Sequence, residues 1–379
     1  MGTETHVRSS AGAETAVVHR REEAIAVIDV DTRSAQEFGA RMLGTVNGAM
    51  LTLGISLGHR TGLYDALSEL APATSTEIAE HAGLHERSVR EWLAGQLAGG
   101  IVGHDPEAGT WWLPPEHALS LTRSAGANNV AFMATALSRF AELEDDVLGV
   151  FRAGGGVPWS RMERVQAWQS ELSRGYYHHA LEAVLAAVPG LVDRLRGGID
   201  VADLGCGHGH AALRIADAYP ASRIAGYDLA PASVVAASAE AKRLGLHNAR
   251  FEARDAAEVE PGAYDLVLAL DVVHDLAHPY DALRAIAGAL REDGVLLMAE
   301  HALSHRPEEN LAHPLASTLY TVSLFHCMTA SLSEGGEGLG IAWGEERIRP
   351  ALAESGFSAV DSHTLDGDPF NVFYIARKD

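Results

Sequence analysis

Asp203-Leu204-Gly205-Cys206-Gly207-His208-Gly209-His210 is the stretch on which the reading of this 379-residue chain turns. It follows a predicted strand, Ile199 to Asp203, and opens a predicted helix, Ala211 to Ala218. A strand that runs through a glycine-dense bend into a helix leaves backbone N–H groups unobstructed at a helix N-terminus, where a ligand can approach the main chain. Such a loop cradles a cofactor, and the glycine spacing decides which. A dinucleotide fingerprint, Gly-x-Gly-x-x-Gly, needs its third glycine at position 210, which is His210. Hydride transfer is therefore the least supported chemistry. The pattern is instead acid-x-Gly-x-Gly-x-Gly, with Asp203 closing the strand.

The predicted strands that follow repeat one feature. Ser222 to Tyr227 ends in Asp228, Ala249 to Ala253 leads to Arg254-Asp255-Ala256, and Tyr264 to Leu270 ends at Asp271. A carboxylate at such a strand end can accept both hydroxyls of a ribose diol. The loop resembles motif I of the class I S-adenosylmethionine (SAM) methyltransferases. That resemblance implies SAM held by Asp203, Gly205, Cys206, Gly207 and Gly209, its ribose at Asp228-Leu229, its adenine edge at Asp255-Ala256, and Asp271-Val272 beside the reacting end.

From about Gly198 to the C-terminus strands alternate with helices, which gives a parallel, doubly wound sheet. Helix Pro279 to Leu290, strand Gly294 to Glu300, a helical insertion over 302–341, helix Gly344 to Ser355, and strands Ala359 to Leu365 and Asn371 to Arg377 complete it. The last two are joined by Asp366 to Phe370, too short for a parallel crossover, so they pair antiparallel. The expectation is a Rossmann-like α/β sheet of seven strands with one reversed edge strand, the class I methyltransferase architecture.

Composition bounds the alternatives. Hydrophobic residues make up 47% and charged residues 21%, as in an ordinary globular chain. No apolar run is long enough to span a bilayer and no signal pattern opens the chain, so a cytoplasmic location is expected. Cys206 and Cys327 are the two cysteines, which argues against a disulfide framework. A formal net charge of −22 repels a phosphate backbone, so nucleic acid is not an expected partner.

Ahead of the sheet the chain divides into a tail or arm (1–33), a helical domain (34–126) and a helical linker or lid (127–197). Phe38, Met42, Val46, Met50, Leu53 and Leu57 recur at helical spacing with Gly44, Gly48, Ala49 and Gly54 between them. This stripe is either a homodimer interface or an ordinary core face. Thr74-Ser75-Thr76-Glu77 reads as a capping box that starts the helix Glu77 to Ala82. Helix Glu86 to Gly99 follows, and Thr110-Trp111-Trp112-Leu113 reads as part of a wing. Helix, turn, helix and two-stranded wing make a winged helix. Between Gly39 and Ala125 five basic residues face nine acidic ones, so dimerisation or a lid role fits better than the alternative of a SAM-sensing, DNA-binding regulator.

In the linker, Gly154-Gly155-Gly156 marks a hinge or a close-approach surface. Trp168, Tyr176 and Tyr177 lie on the helix entering the sheet domain, where Tyr177 either faces the sulfonium as a cation–π wall or belongs to the core.

Ligands of open α/β sheets bind beyond the carboxyl ends of the strands, and the fourth strand delivers Asp271-Val272-Val273-His274-Asp275 there. His274 is the candidate catalytic residue, as a base toward a hydroxyl or an acidic carbon, with Asp275 beside it and His278 a weaker candidate. Six histidines lie between 274 and 326, and imidazole with carboxylate suits iron, zinc or nickel. The stretches Arg152 to Ser160, Val273 to Asp275, His313-Pro314, Tyr320 to Met328 and Gly335 to Glu345 resemble bacterial winged-helix SAM methyltransferases. Some of these are 2-oxo acid C-methyltransferases of antibiotic pathways with a metal held by two histidines. That resemblance implies metal-assisted C-methylation of a small 2-oxo acid, with Fe or Zn at His274, His326 and Asp275. It leaves metal-free O-methylation with His274 as general base as the alternative. A substrate carboxylate needs a cation, for which Arg139, Arg152 and Arg161 are available, with Trp159 beside them in sequence.

Overall fold

The computed structural model describes residues 16–21, 24–29, 31–366, 368 and 370–378. They divide into two compact units, one ending at Thr135 and the other beginning at Ala136. Most of the segment read as a linker thus belongs to the sheet unit. Residues 1–15 of the expected tail lie outside the described residues, but Ala16–Arg21 (β1) and Ala24–Asp29 (β2) pair as an antiparallel hairpin.

In the first unit Thr32–Thr61 is one 30-residue helix, begun by the Asp31 carboxylate on the Arg33 and Ser34 N–H groups and stopped by Gly62 at φ 77°. Thr74 and Glu77 form the expected capping box ahead of Ser75–Ala82. Helix Glu86–Ala98, then Gly103–Asp105 (β3) and Thr110–Trp112 (β4), complete the winged helix. Its core is Leu63, Tyr64, Leu67, Ile78, Val89 and Leu93. On Glu86–Ala98 the two arginines are paired within the helix, Arg87 with Glu91 at 2.5 Å and Arg90 with Glu86 at 3.3 Å. Of the stripe on the long helix, Phe38 (54%), Met42, Val46 (61%), Met50 (63%) and Leu57 are exposed and Leu53 is half-buried; Leu43, beside them, is 71% exposed.

The second unit carries a seven-stranded sheet. Its strands are Asp200–Leu204 (β5), Arg223–Asp228 (β6), Ala249–Ala253 (β7), Tyr264–Leu270 (β8), Leu290–His301 (β9), Ala359–His363 (β10) and Asn371–Arg377 (β11). Their order is β10-β11-β9-β8-β5-β6-β7. Strand period two sorts each strand between two cores. Ala202, Leu204, Val267, Ala269, Leu296 and Met298 face the helices Pro279–Ala289 and Glu345–Glu354. Val201, Leu266, Leu268, Val295 and Leu297 face Glu163–Ala186, Leu191–Gly197 and His210–Ala218.

One expectation is corrected. The reversed strand β11 is not an edge strand: it lies between β9 and β10, antiparallel to both. Phe373, Tyr374, Ile375 and Ala376 are all buried, as a strand covered on both faces requires, whereas β10 alternates toward solvent as an edge does. The apolar run Leu319 to Ala330 is not one helix. It breaks at His326 (φ −136°, ψ −81°) into Ala316–Phe325 and Cys327–Ser333.

The glycine run is a close-approach surface at its third member. A Cβ on Gly156 would sit 1.9 Å from the Thr329 carbonyl oxygen and 2.4 Å from the Ser333 nitrogen, both main chain. The neighbouring Val157 N–H donates to that same carbonyl at 3.1 Å. Backbone cannot yield as a flexible side chain does, so Gly156→Ala is expected to cost about 2 kcal/mol or more in urea unfolding, with Gly154 tolerant of space though not of its positive φ.

Candidate active site

The cofactor loop is built by its glycines. Gly205, Gly207 and Gly209 have φ of 63°, 52° and 74°, a region closed to most side chains. The Gly207 N–H donates to Asp228 Oδ2 at 2.8 Å, and the Ala230 N–H to Oδ1 at 2.8 Å, so the carboxylate at the end of β6 is oriented by the loop it faces. Each oxygen keeps a second lone pair, which suits a diol. Leu229 stands exposed beside it. Asp255 caps the turn after β7 through the Ala257 N–H at 2.8 Å, and Ala256 is buried behind it. Arg254 N–H to Asp228 O at 3.0 Å holds these two strand ends together.

Asp203 is buried, and that burial pushes its carboxyl up to about 7 against the hydrogen bond from the Ala212 N–H. A carboxyl so placed is ready to ionise when a cation comes to it. Burial, reinforced by Asp203 and Asp228, drives the Cys206 thiol far above its ordinary range, so Cys206 is a loop residue and no nucleophile. Tyr177 is half-buried within the fields of Asp271 and Asp203, which together with its burial raise its phenol well above the usual value. It packs against the core that holds Val201, Leu266 and Leu268.

A Cβ on Gly205 would fall 2.2 Å from Val272 Cγ2, so the cofactor loop and the segment after β8 are in contact. Among the described residues Asp271 is the only non-glycine with positive φ (60°), held by its N–H to the Ala299 carbonyl at 3.0 Å. Its carboxylate meets His301 Nε2 at 2.9 Å, and this pairing keeps it below the usual carboxylate range in spite of burial.

His274 sits in the short turn Val273–Asp275, 1% exposed. Its Nδ1 lies 2.6 Å from Glu300 Oε2, and its Nε2 3.3 Å from Asp275 Oδ1. A carboxylate can only accept, so Nδ1 carries a proton and Nε2 is the working nitrogen. Burial opposes charge on this ring, but Glu300 and Asp275 outweigh it and raise its pKa well above the ordinary value. Glu300, fully buried at the end of β9, also accepts the Trp343 indole N–H at 3.1 Å on the same oxygen. Glu300 and Trp343 were not singled out in the sequence, although an acid ending the fifth strand repeats the feature that marked the other four.

The metal set implied by the resemblance is not assembled as one. Ligand atoms of His274, Asp275 and Cys327 lie within 4.8 Å of one another, as do those of Asp271, His274 and His301, but His326 joins neither group. The residues present do not form the implied site. Two of the arginine candidates lie on the surface. Arg161 is committed to Asp146 at 2.9 Å on the surface, and Arg152 lies exposed near the end of the helix Glu144–Ala153. Trp159 does reach the site region, edge-on to the His326 ring at a centroid distance of 5.1 Å. His278 is exposed at the start of the next helix.

Comparisons with known proteins agree with this architecture. Residues 49–123 match the model of the Rv2258c-like winged HTH domain, and residues 195–339 that of a methyltransferase domain. A curated relative, the 27-O-demethylrifamycin SV methyltransferase of Amycolatopsis mediterranei (strain S699), is 28% identical over 151 residues, covering 38% of this chain and 55% of the relative. The chain thus spans about half the length of that relative. The solved mitomycin 7-O-methyltransferase superposes with a TM-score of 0.67 at 22% identity, over 91% of this chain and 98% of its own. Human N-acetylserotonin methyltransferase in complex with SAM superposes with a TM-score of 0.66 at 18% identity, over 90% and 98%. At these identities the likeness carries the fold. No helix among the described residues is long and apolar enough to cross a membrane. The chain joins a winged-helix domain to a class I, SAM-dependent methyltransferase domain.

Proposed function

We propose that this chain methylates a hydroxyl of a small molecule, with SAM as donor and His274 as general base. The observation that carries the reading is the buried Glu300–His274 pair on the strand ends next to the glycine loop. Named relatives that are O-methyltransferases support a hydroxyl acceptor over the carbon of a 2-oxo acid.

Bound SAM supplies an electrophilic methyl group on a sulfonium. Asp228 would hold the ribose, Asp255 and Ala256 would border the adenine, and Asp203 would answer the cationic amino-acid end. Glu300 fixes the His274 ring and its tautomer, so that Nε2 can take the acceptor's proton as the oxygen attacks. Asp275, 3.3 Å from Nε2, then stabilises the imidazolium. Water is kept from the pair by its burial, which strengthens both contacts.

His274→Ala is expected to lower kcat by about 10²–10⁴ in a tritiated-methyl assay on phenolic acceptors while S-adenosylhomocysteine still binds. Unchanged kcat would remove His274 as the base. The base works only when deprotonated, and its pKa is raised, so the rate climbs with pH through a value above the ordinary one. Glu300→Gln takes away the main raising charge and should move that limb to lower pH while reducing kcat. An unmoved limb would break the assignment.

Asp203 yields a separate expectation. Its folded pKa is raised to about 7, so near neutrality part of the population is protonated, and cation binding favours the ionised form. Affinity for SAM should therefore rise between about pH 6 and 8 and lose that dependence in Asp203→Asn, as read by calorimetry.

The exposed stripe residues Phe38, Met42, Val46 and Met50, with Leu43 beside them, support a homodimer through the N-terminal helix. Burying each such side chain contributes about 1.5–3 kcal/mol, enough for several to hold two chains together. Light scattering should show a dimer for the wild type and a monomer for Leu43→Asp with Val46→Asp. A wild-type monomer would rule the interface out.

A further inference from the structure

The helix Glu163–Ala186 is held at its two ends by apolar side chains and in its middle by polar ones. Val165 and Trp168 are buried near its start, and Leu181, Val184 and Leu185 toward its end. Between Trp168 and Leu181 no residue is fully buried, and two hydroxyl groups tie that stretch to loops of the sheet. Ser170 Oγ lies 2.7 Å from His208 Nδ1 and 2.9 Å from His210 Nε2, both in the glycine-rich stretch after β5. A hydroxyl has one proton, so it donates to one ring and accepts from the other, and the cofactor loop is fastened through two of its residues. Burial, then His208 and Arg174, lowers the His210 pKa to about 4, which keeps that ring neutral and fit for either part.

Six residues further on, Tyr176 donates to Asp368 Oδ2 at 2.6 Å. The same carboxylate accepts the Phe370 main-chain N–H at 2.9 Å and the Asn371 side-chain N–H at 3.0 Å. Asp368 lies in the connection between β10 and β11, which the Ala302 N–H ties to the end of β9 through the Phe370 carbonyl at 2.8 Å. In the sheet, β8 and β9 stand between β5 and β11, and their ends lead to Asp271 and carry Glu300. Three strand spacings make about 14 Å, which six residues of helix, about 9 Å, and the two side chains together reach. Between the two contacts lies Gly175, exposed, where a Cβ would meet nothing within 4 Å. Packing does not require a glycine there, and a glycine in a helix interior loosens it relative to alanine.

We infer that Ser170 and Tyr176 are positioning residues that strap this helix across the cofactor cleft, and that the strap yields at Gly175 when SAM enters and S-adenosylhomocysteine leaves. The inference rests on the methyl-transfer reading and adds how the cofactor is retained. The two hydroxyls act through the loop and the connection they hold, without touching the cofactor themselves.

The test follows release of tritiated SAM from the full chain after a chase with excess unlabelled S-adenosylhomocysteine. Ser170→Ala and Tyr176→Phe each remove a hydrogen bond and are expected to speed release about three- to tenfold, whereas Ser170→Thr, which keeps the hydroxyl, stays within about twofold of the wild type. Gly175→Ala stiffens the helix and is expected to slow release about two- to fivefold. A contact that served stability alone would lower the urea midpoint and leave release unchanged. Release at the wild-type rate in Ser170→Ala or in Tyr176→Phe, whatever the midpoint, therefore overturns the proposal, as does release from Gly175→Ala as fast as from the wild type or faster. A wild type that does not bind labelled SAM would instead overturn the methyl-transfer reading.

Discussion

The contact between Glu300 and His274 is the constraint to which the rest of the sheet unit answers. A fully buried carboxylate costs several kcal/mol in lost hydration, and it persists only where a partner meets it. Glu300 has two donors on one oxygen, His274 Nδ1 at 2.6 Å and Trp343 Nε1 at 3.1 Å. Three distant parts of the chain, the end of β9, the turn after β8 and the segment before the helix Glu345–Glu354, must come together to bring those two donors to that oxygen. Removing one partner of such a pair typically costs about 3–5 kcal/mol, so the site is also a stability element.

The neighbouring insertion serves the same turn. Ser331 Oγ donates to the Leu276 carbonyl at 2.9 Å, and the Glu337 N–H to that of Ala277 at 3.0 Å. A Cβ on Gly336 would fall 2.4 Å from Ala277 Cα, so the insertion lies directly on the loop that carries His274. What looks in the sequence like a decoration on the sheet is the roof of the base's turn. It also brings Cys327 to the site, and with it His326.

Much of this was legible beforehand where local rules act alone. The bounds of β7, β8 and β11 were read to the residue, and the capping box at Thr74 and the conformations needed at Gly205, Gly207 and Gly209 follow from chemistry confined to a few positions. What escaped depends on partners far along the chain. Nothing near β11 says that it inserts between β9 and β10, although the unbroken apolar run Val372 to Ala376 is the mark of a strand covered on both sides. The break at His326 carries no proline or glycine to announce it. The pairing of Arg161 with Asp146, 15 positions away, is announced by no local rule. Glu300 was noted as a strand terminus and not as a partner, since only the fold sets it against His274.

The proposed proton transfer depends on the protonation of one ring. Nitrogen-15 NMR of imidazole-labelled protein reads it directly. His274 is expected to keep its Nδ1 proton in the neutral form and to titrate with a midpoint above that of an ordinary histidine. A His274 that titrates at or below the ordinary value, or whose neutral form carries its proton on Nε2, would contradict it.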